Sequence, residues 1–300
     1  MSLLPEANDT LYVACFGPGY GESIVLRVPP NYWLVIDSCL ENSICPAIQL
    51  LDEAEANSDL VLLSHPHLDH AQGIDRIIDE YTRADSTLAC LDPRVYDPQK
   101  WVQSNNPSEH HSKGALEAAI SAYMTAWDDE PEGKWEPYRA DEKTFGDAKL
   151  TVVHPSKEVV SKLSESEKTD YNRLSSAISL DWMGNHLLLG GDVLTVDWQE
   201  LEAEYPNLAD HLVCKVPHHG SESSFACVWM KQVRKNRKWI VTPFHRSRLP
   251  RLDSDNQLLN HIEELCLTSS NTSSESNNED RLQAYVVLEM NKEGKVTRLK

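Results

Sequence analysis

The stretch Ser64-His65-Pro66-His67-Leu68-Asp69-His70 follows directly on the apolar run Leu60-Val61-Leu62-Leu63. An apolar run this short, with a β-branched residue in it, predicts a buried strand, and the polar cluster starts where that strand must stop. Any fold open to the chain must therefore cover the strand and leave its carboxyl-end loop accessible. Four of the six residues from His65 to His70 carry imidazole or carboxylate, the ligand types that suit zinc and neighbouring divalent metals. His65 and His67 are two apart and point to the same side of an extended segment. Asp69 and His70 can then face a second ion about 3.5–4 Å from the first.

Upstream, Leu11–Phe16 and Ser23–Val28, joined by Gly17-Pro18-Gly19-Tyr20-Gly21, lead with residues 33–37 into an antiparallel meander. Asp37, next to Ser38 at the end of the third strand, suits either support of a neighbouring metal ligand or capping of the next helix. Residues 47–54 read as a helix. Ile74, Ile77, Ile78 and Tyr81 recur at helical spacing, which predicts a helix that starts after Gly73 and buries one face. Residues 87–91 are a further strand, and the alternation of strands and helices places helices outside sheets.

Residues 93–147 read as an insertion dense in Pro, Trp, Asn and charge, with Trp101, Trp127 and Trp135 spread through it. Its helical stripe, Leu116, Ile120, Tyr123 and Trp127, belongs to a segment expected to overhang the site or to dock a protein partner. His110 and His111 in this segment read as surface residues.

Leu150-Thr151-Val152-Val153 then repeats the strand that ends in His-Pro, at His154 and Pro155. Residues 177–182 and 186–189 predict a hairpin across Met183-Gly184-Asn185, which ends at Gly190-Gly191-Asp192. The glycines permit close backbone approach, and an aspartate closing a buried strand needs a counter-charge that a metal would provide. Residues 197–205 read as a helix, and 212–217 as a strand ending in His218-His219-Gly220-Ser221. A helix over 225–233, a strand over 239–243 reaching His245, and a last helix marked by Leu258, Ile262 and Leu265 follow. Residues 268–280 form a flexible polar loop, and 284–288 lead into a hairpin at Asn291-Lys292-Glu293-Gly294.

Charge narrows the partners. With 28 basic and 47 acidic residues the net charge is -19, so the surface as a whole repels nucleic acid, and a polynucleotide must be held locally or delivered. Small phosphorylated substrates remain compatible, because divalent ions reverse the local field in a pocket. Seven cysteines without a CxxC pair read as reduced, buried thiols. The absence of an apolar run of about 18 residues and the start Met1-Ser2-Leu3-Leu4-Pro5-Glu6 point to a cytoplasmic chain without a membrane span.

The recurrence of ligand-type residues at strand ends, in the 65–70 loop and at His154, Asp192 and His218-His219, resembles the metallo-β-lactamase superfamily. There an H-x-H-x-D-H loop is followed by a third histidine, a bridging aspartate and a last histidine. Asn172, Ser175-Ser176, Leu187-Leu188-Leu189-Gly190-Gly191-Asp192 and Lys215-Val216-Pro217-His218-His219-Gly220-Ser221 look like the corresponding domain of the competence protein ComEC in free-standing form, over residues 11–245. The chain departs from ComEC in lacking a transmembrane region and an OB-type domain. The resemblance implies one domain over residues 1–300, an α/β fold of αββα sandwich architecture, and a dinuclear hydrolase acting on phosphodiesters of nucleic acid or nucleotide. It implies two divalent ions, zinc first and manganese second. His65, His67 and His154 are the expected ligands of one ion, with Asn172 as the alternative to His154. Asp69, His70 and His218 serve the other, with His219 as the alternative to His218, and Asp192 bridges. Asp69 and His219 are the expected catalytic residues, His219 giving a proton to the leaving oxygen. Ser221 and Lys215 are candidates for phosphate contacts, and Lys215 alternatively for a solvent-facing strand position. The same fold also serves lactam, thioester and lactone hydrolysis. A partner-dependent or non-catalytic subunit is the reading from a different class.

Overall fold

Along Leu11–Phe16 (β1), Leu11, Val13 and Cys15 turn to one side and Tyr12, Ala14 and Phe16 to the other, and all are buried. A strand apolar on both faces needs a layer on each side. The computed structural model describes residues 4–5, 9–92, 113–129, 133–164, 170–224, 237–251, 264–268 and 284–300. In it, β1 joins Ser23–Val28 (β2), Tyr32–Ile36 (β3), Leu60–Leu62 (β4), Thr87–Ala89 (β5), Lys134–Trp135 (β6), Tyr285–Met290 (β14) and Val296–Arg298 (β15) in one sheet. The order is β15-β14-β1-β2-β3-β4-β5-β6. The second sheet is made of Glu142–Phe145 (β7), Ala148–His154 (β8), Ala177–Trp182 (β9), Asn185–Leu189 (β10), Val213–Lys215 (β11), Lys238–Val241 (β12) and Leu265–Leu267 (β13), in the order β13-β12-β11-β10-β9-β8-β7.

Both sheets are mixed. β3, β4, β5 and β6 run parallel, as do β10, β11, β12 and β13, and the remaining pairs are antiparallel. The facing sides, with Val13, Leu34 and Leu62 from one sheet and Val152, Leu187 and Val213 from the other, form the central core. On the outer face of the first sheet lie Pro46–Glu53 (α1), Ile74–Tyr81 (α3) and Lys113–Asp129 (α4), whose buried residues share one cluster with Tyr12, Val35 and Val61. The helix Leu68–Ala71 (α2) opens this layer, and Lys157–Ser164 (α5) adds Val159, Val160 and Leu163 to it. On the outer face of the second sheet, Thr195–Glu204 (α6) packs Trp198 and Leu201 against Leu188, Cys214 and Val241. The order is helix, sheet, sheet, helix. None of the described helices is long and apolar enough to cross a membrane, and the six cysteines among the described residues are free and buried.

Two expectations change here. The segment 93–147 reads as an insertion, yet its described part is built into the body. Leu116, Ile120, Tyr123 and Trp127 are all buried in the outer-layer cluster, the Tyr123 hydroxyl donates to the Val61 carbonyl at 3.1 Å, and β6 and β7 extend one sheet each. Helical periodicity was legible, but nothing local marks the sheet that receives the stripe. Leu265, expected in a helix, lies in β13 beside β12. Leu258 and Ile262, the helix at 225–233, Trp101, His110, His111 and almost all of the 268–280 loop lie outside the described residues. The hairpin turns at Met183 and Gly184, both at positive φ (56° and 81°), the backbone that joins two strands most tightly.

Candidate metal centre

The carboxyl ends of the parallel strands deliver the site. After β4 the chain turns into α2 and carries His65, His67, Asp69 and His70. Backbone bonds fix this loop from several sides. Ser38 N donates to the His70 carbonyl at 2.8 Å, Glu22 N to that of Asp69 at 2.9 Å, and Ser176 N, from the second sheet, to that of Ser64 at 2.9 Å. After β10, Gly191 at φ +50° lies so close to Ser175 and Ser176 that a Cβ would sit 2.4 Å from Ser175 Oγ. That hydroxyl in turn accepts from Asp192 N at 2.8 Å. After β11, His218 and His219 both take left-handed backbone (φ 47° and 53°), a conformation costly for residues with a Cβ. It sends the two imidazoles to different neighbours.

Asp192 Oδ2 is the common point. It lies 3.8 Å from His65 Nε2, 3.5 Å from His70 Nε2 and 3.9 Å from His218 Nε2. On one side of it His65 Nε2 and His67 Nδ1 are 2.8 Å apart. On the other, Asp69 Oδ2 stands 3.9 Å from His70 Nε2 and 3.4 Å from His219 Nε2. Two ligand groups thus share one carboxylate.

The imidazoles are oriented from behind. Asp37 accepts from Ser64 N at 2.7 Å, Ser64 Oγ at 2.6 Å and His70 Nδ1 at 2.7 Å. Between its two possible roles it takes that of ligand support; the helix α1 begins instead at Cys45 and Pro46. Because Ser64 Oγ gives its one proton to Asp37, His65 Nδ1, 3.0 Å away, must donate to that oxygen. His219 Nδ1 donates to the Thr242 carbonyl at 2.8 Å. Each of His65, His70 and His219 is therefore held by its Nδ1 and turns its Nε2 edge to the centre.

Glu22 and Lys215 complete this outer ring. Both are buried and form an ion pair. Glu22 Oε2 also accepts from Thr242 Oγ1 at 2.6 Å and lies 3.5 Å from His219 Nδ1, while Oε1 is 3.9 Å from His70 Nδ1. Glu22 falls within metal-ligand range of His70, Asp192 and His219. It faces the Nδ1 edges, whereas the Nε2 edges face Asp69 and Asp192, so Glu22 stands behind the histidines and Asp69 stands in front. Lys215 is neither solvent-facing nor in the cleft. The alternation Val213 inward, Cys214 outward, Lys215 inward carries that information in the sequence, and Glu22 after three nearby glycines is its partner from the opposite sheet.

Charge is balanced across the cluster. Burial alone would lower His70, but Asp192, Asp37 and Asp69 raise it well above the ordinary histidine range. Burial would raise Asp192 and Asp69, but His70 and, further, His218 and His219 for Asp192, and His219 for Asp69, hold both below the usual carboxylate range. His65 is held well down by burial, then by His70 and His67.

His154, expected as the third histidine, lies outside both ligand groups. β8 slips register between Val152 and His154, and His154 pairs with Ala177, a residue of the outer cluster beneath α6. The bulge turns the ring outward. Its Nδ1 donates to the Ser175 carbonyl at 2.8 Å, and Nε2 lies 3.9 Å from the buried Asp197, which Arg173 clamps at 2.9 Å. Asn172 comes to the cleft instead, with Nδ2 3.5 Å from His218 Nε2. The adjacent histidines also stand in the opposite order to the one expected. His219 joins His70 and Asp69, while His218 borders the open cleft, its Nδ1 within 3.3 Å of the Ser223 and Ser224 hydroxyls. Ser221 hydrogen-bonds to Ser223 at 2.9 Å and is not among the cleft-lining residues.

The residues present fit divalent ions. His70 Nε2, His219 Nε2 and Asp192 Oδ1 are buried without a hydrogen-bond partner, and the three residues lie within metal-ligand range of one another, an arrangement that costs stability unless a ligand satisfies these atoms. Imidazole and carboxylate donors suit zinc, manganese or iron.

No family model matches the chain, and no curated protein matches it. Solved structures similar to it include the metallo-β-lactamase fold protein YhfI from Bacillus subtilis, at 11% identity over 86% of this chain and 95% of that one, with a TM-score of 0.46. A metallo-β-lactamase from Staphylococcus aureus is 14% identical over 74% of this chain and 59% of that one, with a TM-score of 0.41. CmlA, a diiron β-hydroxylase from Streptomyces venezuelae, is 10% identical over 71% and 35%, with a TM-score of 0.42.

Proposed function

We propose that the chain is a dinuclear metal-dependent hydrolase of the metallo-β-lactamase superfamily, similar to the ComEC-type domain, and that it cleaves phosphodiesters. The observation that carries this reading is the position of Asp192 Oδ2, within 3.9 Å of His65, His70 and His218 Nε2. It stands between a group formed with His65 and His67 and a group formed with Asp69, His70 and His219.

In this reading His65, His67 and Asp192 hold one divalent ion, zinc or manganese, and Asp69, His70, His219 and Asp192 hold the other. When bound, such a pair supplies Lewis acidity and brings the ionisation of water near neutral pH. The chain's own groups do the rest. Asp69, held ionised by its neighbours, orients the attacking water. His218 stands at the cleft surface with its Nδ1 held by the Ser223 and Ser224 hydroxyls, and delivers a proton from Nε2 to the leaving oxygen. Asn172 Nδ2, beside it, donates to a phosphoryl oxygen and sets the ester's orientation.

The test is metal content by elemental analysis together with hydrolysis of bis(p-nitrophenyl) phosphate and of nitrocefin. Two ions per chain and metal-dependent cleavage of the phosphodiester are expected, with Asp192→Asn losing both. Cleavage of nitrocefin alone moves the reaction class to lactams. A metal-free wild type after metal addition overturns the dinuclear reading. Two bound ions with no turnover, together with stable association with another protein, support the non-catalytic subunit.

A further inference from the structure

Beside the ligand cluster, the cleft is lined by Tyr20, from the loop between β1 and β2, and by the segment after β12 that carries Phe244, stacked on the His219 ring at 5.1 Å, and Arg246. The cavity between them measures about 500 Å³, the size of a small-molecule site. The two wall segments are locked together. His245 N donates to the Gly19 carbonyl at 2.8 Å, and the Tyr20 ring meets the His245 ring edge-on at 5.6 Å. Gly19, at φ +95°, lies so near that a Cβ would fall 1.9 Å from the His245 ring. Gly21 is also held close to the metal loop, where a Cβ would stand 2.6 Å from the Asp69 carbonyl. Tyr20 is therefore a fixed ring, yet it is 65% exposed, the most exposed large hydrophobic residue among those described. An aromatic side chain displayed on a rigid loop beside a cavity contributes little to the core and is suited to covering the face of a flat ligand. Arg246 is the one arginine or lysine among the described residues that line the cavity, on a chain whose net charge is -19.

We propose that Tyr20 and Arg246 form a clamp for a short, nucleotide-class phosphodiester, in which a flat base stacks on Tyr20 and a non-reacting phosphate pairs with the Arg246 guanidinium while the reacting phosphate faces Asp192. The clamp rests on the phosphodiester reading and narrows it. Stacking on an aromatic ring tolerates any base, and a guanidinium fork matches two phosphate oxygens at once. With one arginine and no lysine among the described residues that line the cavity, and a net charge of -19, one or two nucleotides are favoured over a polymer, whose many phosphates need a basic track.

Thymidine 3′,5′-bisphosphate and thymidine 5′-monophosphate, bound to the zinc-loaded protein by calorimetry, test the clamp without turnover. Tyr20→Ala is expected to weaken both ligands about tenfold. Arg246→Gln is expected to weaken the bisphosphate about tenfold and to leave the monophosphate unchanged. Circular dichroism and thermal melts of the variants check their folding. No binding of the bisphosphate by wild type, or equal binding by wild type and both variants, overturns the clamp. If wild type also cleaves bis(p-nitrophenyl) phosphate, the phosphodiester reading survives that failure. If the variants lose the bisphosphate as expected but wild type cleaves no diester, the clamp stands and the hydrolytic reading falls.

Discussion

His70 Nδ1 and Asp37 Oδ2 are 2.7 Å apart and both fully enclosed, so the tautomer of His70 is set by a carboxylate that never reaches the cleft. Asp37→Asn replaces a charged acceptor with an amide and leaves the ring free to turn. Such supporting groups are worth about 10–100-fold in metal affinity. The expected outcome is a loss of that size for one ion of the two, read by competition with a chromophoric chelator. Unchanged affinity for both would show that the pairing does not matter to the metal.

Lys215 and Glu22 form a buried ion pair across the two sheets. Removing one partner of such a pair leaves an uncompensated charge and costs about 3–5 kcal/mol. Lys215→Met is expected to lose stability of that order in urea unfolding with chelator present. The double variant Glu22→Gln with Lys215→Met is expected to recover part of it. A single variant as stable as wild type would contradict the pairing.

His154 and Asn172 separate by measurement. His154→Asn removes a buried ring outside the centre, so it is expected to cost about 1–3 kcal/mol of stability and to keep both ions. Asn172→Ala, at the cleft, is expected to keep stability and to lower phosphodiester turnover about tenfold or more. Loss of an ion in His154→Asn would return that residue to the ligand set.

His211, far from the centre and packed against Trp239, donates to the Leu208 carbonyl and is pushed down to about 3 by burial and then by Arg237. Its unfolded value is about 6.5, so between these limits the unfolded chain binds a proton that the folded chain refuses. Stability is then complete above the unfolded value and is lost as pH falls below it, by at most about 1.4 kcal/mol per pH unit. His154, lowered to about 4 chiefly by burial, adds a second slope of the same sign. Urea unfolding of the metal-free protein from pH 7 to 5 is expected to show this loss, and His211→Gln to make it shallower. Parallel slopes would rule His211 out.

The strands were legible because buried β-structure leaves short apolar runs, as at Leu60-Val61-Leu62, and the metal loop because it begins where such a run ends. Its four ligand-type residues, together with Asp192 after Gly190-Gly191, converge as the local pattern suggests. His154 misled because its strand end looks like the others, while the bulge that turns it outward depends on pairing with β9. The order of His218 and His219 was hidden by two left-handed residues in succession, a backbone that no spacing rule anticipates. Glu22 and Lys215 lie 193 positions apart in numbering, and only the docking of two sheets makes them partners.

That docking has a further meaning. Ser176 N reaches across to the Ser64 carbonyl, and Asp192 and His219 come from one sheet while His65 and His70 come from the other. The centre is thus a seam, absent from either half alone. Ions that bind only the closed seam act as rivets, stabilising the docked chain by mass action. Chelation should accordingly loosen the two halves before it unravels either one.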